Sequence, residues 1–254
     1  MACFYRLAFA AAWTAALVAV GCAGNSTFER QHQSAAAQQA EQRAEKSRPN
    51  APNHLALARQ LMEKAFYQVA LVQLEMARDK GPEQVETYHL MGLCHRGLNQ
   101  PKQAVAYFFK ALEMDDRYAP AYNGMGLTVQ MMGDRTLAYR SFRKAIALDP
   151  AQADFHNNLG YLLLQDQRHA EAEAVLRDAL AIDPKLVVAR NNLAICLGLQ
   201  GKDRQAMEIL LATHPPATAF RNMSAIYHRR GDTVKASAMQ QKADEHDNRE
   251  GKQP

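Results

Sequence analysis

The chain has 254 residues, of which 48% are apolar and 22% charged, and its formal net charge is +4. This composition is ordinary for a globular protein with a sizeable core, and the basic residues are interleaved with acidic ones, which argues against a nucleic-acid partner. Aromatic residues make up only 7%, whereas Ala, Leu, Gln and Met, which favour helices, recur throughout. We therefore expect an all-α protein.

Residues 1–22 have the features of an export signal. Arg6 precedes an apolar stretch of 14 residues from Leu7 to Val20, and Gly21-Cys22 follows directly. The stretch is short and rich in alanine, so an export signal is a better interpretation than a membrane-spanning helix.

The end of this signal, Ala19-Val20-Gly21-Cys22, resembles the bacterial lipobox. The resemblance implies that residues 1–21 are a signal peptide and that Cys22 carries acyl chains that anchor the protein to a membrane. Ala23 after the cysteine implies, by the same resemblance, the periplasmic face of the outer membrane. The alternative is an uncleaved anchor or an ordinary secretory signal with an incidental cysteine.

Residues 22–50 predict a flexible, lipid-anchored tether. The segment is rich in Ala, Gln, Ser and Glu and offers no apolar face to bury, and Pro49 and Pro52 close it. A segment of this composition cannot form a core of its own.

A fixed period of 34 residues runs through the rest of the chain. Small residues recur at three positions of the period, and a large apolar residue recurs at a fourth. Because two antiparallel helices approach closely only where side chains are small, each period predicts one helical hairpin, and the hairpins must stack to cover their apolar faces. The small residues are Ala58, Gly92, Gly126, Gly160 and Ala194; Ala70, Ala104, Ala138, Ala172 and Ala206; and Ala77, Ala111, Ala145 and Ala179; the large residues are Leu74, Phe108, Phe142, Leu176 and Leu210.

This pattern, with prolines after the second helix at Pro82, Pro150 and Pro184, resembles the tetratricopeptide repeat. The resemblance implies an all-α solenoid of about six helical hairpins with a right-handed superhelical twist, followed by a tail at 251–254. The fifth unit is four residues short because His214-Pro215-Pro216 ends its second helix early. The predicted units within a domain at 51–250 are 51–84, 85–118, 119–152, 153–186, 187–216 and 217–250.

The first helix of each unit is expected to line a concave groove, with its fifth and ninth residues on one face. The ninth residues of four central units are all apolar: Leu93, Leu127, Tyr161 and Ile195. An exposed apolar stripe of this kind indicates a protein-binding surface. The alternative is that neighbouring helices or the tether cover it.

Asparagines form a second series beside this stripe. They occupy the fifth position at Asn123, Asn157 and Asn191, and the sixth position at Asn158, Asn192 and Asn222. Because a carboxamide both donates and accepts hydrogen bonds, the series could hold the main chain of an extended peptide segment. Local hydrogen bonding within the repeats is the alternative, with equal support at the sixth position.

The two cysteines of the repeats, Cys94 and Cys196, occupy the same position in units three apart, too far for a disulfide, so we expect two free core thiols. The chain lacks the motifs of a nucleophile, a zinc protease or a phosphate loop, and its nine histidines do not have metal-ligand spacing. We therefore expect a non-catalytic protein without metal or cofactor.

The stretch from Asn191 to Gly201, followed by the shortened unit with Pro215-Pro216, resembles the TadD lipoproteins of tight-adherence (Flp-type) pilus systems. This resemblance implies a factor that assembles or places a secretin, with a secretin or another pilus or secretion component as its partner. Pilotins of type IV pili share the layout. Lipoproteins that scaffold murein hydrolases or proteases in the envelope share it too, and remain the alternative function.

Overall fold

The computed structural model describes residues 53–80 and 84–250. The predicted signal peptide, Cys22, the tether and the tail at 251–254 lie outside these residues. The described part consists of 12 helices joined by short connections and contains no strand, which confirms the all-α prediction. No helix in these two ranges is long and apolar enough to cross a membrane.

The helices pair consecutively as six hairpins, and each second helix also packs against the first helix of the next hairpin. The hairpins are α1 (His54–Glu63) with α2 (Tyr67–Lys80), α3 (Val85–Gly97) with α4 (Pro101–Met114), α5 (Ala119–Met131) with α6 (Arg135–Leu148), α7 (Ala153–Gln165) with α8 (His169–Ile182), α9 (Val187–Leu199) with α10 (Asp203–Thr213), and α11 (Pro216–Arg230) with α12 (Thr233–Glu250).

Each hairpin turn contains one residue in the left-handed backbone region. Three of these residues are glycines, at 133, 201 and 231, and the other three are Ala65, Asn99 and Gln167. Glycine adopts this conformation without the steric cost of a Cβ. Asp134 caps the N-terminus of the helix that follows one of these turns, α6, because the Asp134 side chain accepts a hydrogen bond from the amide of Leu137 at 2.9 Å.

The residues of the predicted packing pattern form the core. All of the small residues except the half-buried Ala77 are buried, and the five large residues are at most 1% exposed. A Cβ added to Gly126 would lie 2.6 Å from the ring of Phe142, and one added to Gly160 would lie 2.6 Å from Leu176. The helices of a hairpin therefore approach closely at the small residue, as the sequence predicts.

The first and second helices form two layers. Successive first helices (α1, α3, α5, α7, α9 and α11) have backbones that approach within 8 Å between Cα atoms, whereas no two second helices approach this closely within the described residues. The first helices therefore form the tighter, inner layer of the stack. The solenoid architecture is confirmed, and its handedness stays a prediction.

The fifth hairpin departs from the others. Its second helix, α10, has 11 residues and ends at Thr213, whereas α4, α6 and α8 have 14 residues each. His214 is extended and α11 begins at Pro216. Cys94 and Cys196 are buried and free, as expected.

Candidate functional site

The predicted apolar stripe lies on the first helices of the second to fifth hairpins, but its members differ in accessibility. Leu93, Leu127 and Ile195 are half-buried and pack against the core. Tyr161 is 46% exposed. Tyr161 is therefore the most exposed of the four predicted stripe residues, and neighbouring side chains partly cover the other three.

Four of the six asparagines form hydrogen-bonded pairs between successive first helices. Nδ2 of Asn158 on α7 donates to Oδ1 of Asn123 on α5 at 2.9 Å, and Nδ2 of Asn192 on α9 donates to Oδ1 of Asn157 on α7, also at 2.9 Å. Asn157 and Asn192 are 7% and 8% exposed. The sixth-position carboxamide of one hairpin thus binds the fifth-position carboxamide of the preceding hairpin.

This series of bonds changes at the shortened fifth hairpin. Nε2 of His214 hydrogen-bonds Oδ1 of Asn191 at 2.7 Å. The carboxamide of Asn222 on α11, which continues the sixth-position series, makes no hydrogen bond to any residue that the structure describes. A bond from Asn222 to Asn191 would be the third of the series, but His214 binds Asn191 instead. The carboxamide of Asn222 is left without a hydrogen-bond partner among the described residues.

A cavity of about 220 Å³ opens at this junction. It lies where α9, α10 and α11 meet and contains three of the predicted groove residues together with an arginine. Its lining includes Asn191, Ile195, Leu210, Asn222, Ala225 and Arg229. We call this cavity the C-terminal pocket.

Next to the C-terminal pocket, α9 and α11 are joined at their C-terminal ends. Nη1 of Arg230 donates to the carbonyl oxygen of Gly198 at 3.1 Å and forms an ion pair with Asp203. The hydroxyl of Tyr227 donates to the carboxylate of Asp203 at 3.0 Å. These contacts bind the sixth hairpin to the fifth beyond the pocket.

Aromatic packing surrounds the fifth position of the second hairpin. His89, at the fifth position of the second unit, packs against the rings of Phe108 and Tyr118 at centroid distances of 5.8 and 5.4 Å. Burial lowers the pKa of His89 to about 4, and the charge of Arg96 contributes to the shift. His89 is therefore uncharged at neutral pH.

A charged cluster joins the fourth and fifth hairpins. Glu173 accepts hydrogen bonds from Nζ of Lys202 at 2.6 Å, from Arg177 at 2.8 Å and from Gln200 at 2.9 Å. The bond from Lys202, with those from Arg177 and Gln200, lowers the pKa of Glu173 to about 2, against a smaller opposing effect of desolvation. In the described ranges, no group of three or more His, Cys, Asp or Glu is placed to hold a metal ion.

Three models of the tetratricopeptide-repeat family match the chain, over residues 85–118, 125–186 and 163–227. The chain is a tetratricopeptide-repeat protein. Proteins built from these repeats mediate protein-protein interactions and are generally non-catalytic scaffolds. No curated protein sequence matches the chain at a significant level.

Solved structures agree with this tetratricopeptide-repeat fold. YrrB, described as a tetratricopeptide-repeat protein with an unusual peptide-binding site, is 26% identical, with a TM-score of 0.55 over 67% of this chain and 90% of its own. PilW, described as a widely conserved type IV pilus biogenesis factor, is also 26% identical, with a TM-score of 0.55 over 63% and 76% of the two chains. The pilF protein of Pseudomonas aeruginosa is 19% identical, with a TM-score of 0.61 over 73% and 86%, and shows the shared fold alone.

Sequence reasoning did not find the C-terminal pocket of this tetratricopeptide-repeat protein. It identified Asn191, Ile195 and Asn222 as separate groove positions but did not select Ala225 or Arg229. The available signal was the shortened unit, because α10 is three residues shorter than α4, α6 and α8 and the regular carboxamide pairing is absent where it ends.

Proposed function

We propose that this protein is a lipid-anchored, non-catalytic adaptor whose inner layer of first helices binds an extended segment of a partner protein. The observation that carries the proposal is the face formed by α7, α9 and α11, which combines the exposed ring of Tyr161 with the C-terminal pocket. Exposed apolar surface beside a concave pocket with a few polar groups is typical of a binding site.

The asparagines have a more limited role in this proposal than in the sequence analysis. Asn157 and Asn192 bind each other and are buried, so they hold the inner layer in register. Asn123 and Asn158 are half-buried. Their bond uses the NH₂ group of Asn158 and the oxygen of Asn123, and it does not involve the oxygen of Asn158 or the NH₂ group of Asn123. The carboxamides of Asn123, Asn158, Asn191 and Asn222 are therefore the ones proposed to contact a ligand.

The proposed partner is a secretin or another component of a pilus or secretion system. Two observations support this: the resemblance of residues 191–201 and the shortened unit to TadD lipoproteins, and the similarity to PilW at 26% identity. The similarity to YrrB supports a peptide segment as the bound element. The proposed location is the periplasmic face of the outer membrane, with Cys22 as the anchor and residues 22–50 as the tether.

The test is mild crosslinking of intact cell envelopes, followed by affinity purification of the full chain and mass spectrometry of the captured proteins. Wild type is compared with Tyr161→Asp and with Phe109→Asp. Phe109 is the matched control because it is an aromatic residue of similar exposure, 50%, on the second helix α4. Helical content measured by circular dichroism verifies that all three proteins are folded.

We expect wild type and Phe109→Asp to capture a secretin or pilus component, and Tyr161→Asp to lose it. Equal capture by all three proteins would show that the inner layer is not the binding surface. Capture of murein hydrolases or proteases in place of secretion components would instead favour the envelope-scaffold alternative.

A further inference from the structure

The C-terminal pocket has two kinds of wall. Ile195 and Leu210 form an apolar floor contributed by the fifth hairpin. Asn222, Ala225 and Arg229 follow one another at intervals of three and four residues along α11, so they share one face of that helix. Ile226 of the same helix also lines the pocket, which is therefore mainly apolar, with a polar side formed by Asn222 and Arg229.

Arg229 is a cation without a compensating acid. The other two arginines of α11 are paired: Arg230 with Asp203, and Arg221 with Asp247. Arg229 is exposed and forms no ion pair with any of the residues described by the structure. The free carboxamide of Asn222 lines the same pocket.

The volume of the pocket suits one large apolar side chain. A cavity of about 150 Å³ with apolar walls accommodates a benzene molecule, and this pocket measures about 220 Å³. A leucine-sized or phenylalanine-sized group fits in that space, in contact with Ile195 and Leu210.

We infer that the C-terminal pocket binds a large apolar side chain of an extended partner segment, and that Arg229 binds the carboxylate of an Asp or Glu next to it. This inference rests on the proposed function and names the chemistry of the segment. A guanidinium binds a carboxylate through charge-assisted hydrogen bonds. The carboxamide of Asn222 completes the polar side by donating to, or accepting from, the main chain of the segment.

The experiment selects octapeptides on the full chain, purified in detergent, from two random libraries. One library presents the peptides within a loop, and the other presents them with a free carboxyl terminus. The affinity of the best peptide, and of versions with Asn for the acid or Ala for the large residue, is then measured by fluorescence anisotropy.

The protein variants isolate the two halves of the pocket. Arg229→Glu reverses the charge, with Arg204→Glu on α10 as the matched control because Arg204 is also exposed. Ala225→Trp fills the pocket, with Ala174→Trp on α8 as the control because Ala174 is likewise exposed and lies on a second helix.

We expect wild type to select a large apolar residue beside Asp or Glu from both libraries. Arg229→Glu should bind the selected peptide at least about tenfold more weakly than wild type does. The two proteins should bind the peptide with Asn in place of the acid equally well. Ala225→Trp should abolish the preference for a large residue, and both controls should match wild type.

Three results would overturn the inference. The first is equal binding of the acidic peptide by wild type and Arg229→Glu. The second is selection from the free-terminus library alone, because the bound carboxylate would then be the end of a chain. The third is a selected peptide whose binding is lost in Tyr161→Asp but unchanged in Arg229→Glu and Ala225→Trp, in which case the inner layer binds a segment and the pocket does not.

Discussion

Asn192 and Asn157 are bound to each other inside the stack: Nδ2 of Asn192 donates to Oδ1 of Asn157 at 2.9 Å, and both side chains are buried. The two residues are 35 positions apart and belong to adjacent first helices, α9 and α7. A buried carboxamide without a partner is costly, so each of these asparagines requires the other.

Removing one member of this pair should destabilise the protein more than removing both. Asn192→Leu leaves Oδ1 of Asn157 buried without its donor, and we expect a loss of about 1–3 kcal/mol in the free energy of unfolding. Asn157→Leu combined with Asn192→Leu should recover much of that loss, because two apolar groups then face each other. Urea unfolding measures all three proteins. A double variant that loses the sum of the two single losses would show that the asparagines act independently.

The close contact between Gly126 and Phe142 predicts a compensating pair of substitutions. Gly126→Ala places a methyl group 2.6 Å from the ring, and we expect it to cost about 1–3 kcal/mol of stability. Adding Phe142→Leu should restore most of the loss, because the fifth hairpin combines alanine and leucine at the same two positions, Ala194 and Leu210. Thermal or urea unfolding tests this, and a double variant less stable than Gly126→Ala would contradict it.

The charged cluster of Glu173 predicts a loss of stability in acid. Because the folded-state pKa, about 2, is below the ordinary value of 4.5, the stabilisation by Lys202, Arg177 and Gln200 is complete above pH 4.5 and is lost as the pH falls towards 2. Glu173→Gln should therefore lower the stability at neutral pH and flatten its decline between these two pH values. Stability curves measured by urea unfolding from pH 7 to pH 2 test this. Glu208→Gln, at an exposed glutamate of α10, is the control and should decline as wild type does.

The proposed anchor predicts that Cys22→Ser releases the protein from membranes. Serine has no thiol to receive an acyl chain, and one or more acyl chains provide the burial that holds such a protein on a bilayer. Membrane fractionation and metabolic labelling with a fatty acid measure the effect. Acyl labelling that persists in Cys22→Ser would contradict the assignment, and Cys94→Ser, at a buried core thiol, should remain anchored and labelled.

Sequence reasoning predicted the fold well because the packing pattern repeats locally. The 34-residue period places a small residue opposite a large one in each hairpin, and the contact of Gly126 with Phe142 follows directly from that order. The free, buried state of Cys94 and Cys196 was predictable for the same reason, since position in the repeat determines burial.

The site was less predictable because it depends on how neighbouring hairpins are placed. The sequence shows which asparagines share a position, but not that Asn192 binds Asn157 or that His214 binds Asn191. The exposure of Tyr161, compared with the partial cover of Leu127, likewise depends on the side chains of adjacent helices. The shortened α10 indicated an irregular junction but not the pocket that it produces.

The bond from Arg230 to the carbonyl of Gly198 holds the C-terminal ends of α9 and α11 together, while the carboxamide bond that joins earlier first helices is missing between Asn191 and Asn222. Among the described residues, the two helices are thus hydrogen-bonded to each other at one end only. A group larger than the C-terminal pocket accommodates would have to turn the last hairpin about this end. The curvature of the inner face would then change at this junction, while the preceding hairpins kept their spacing.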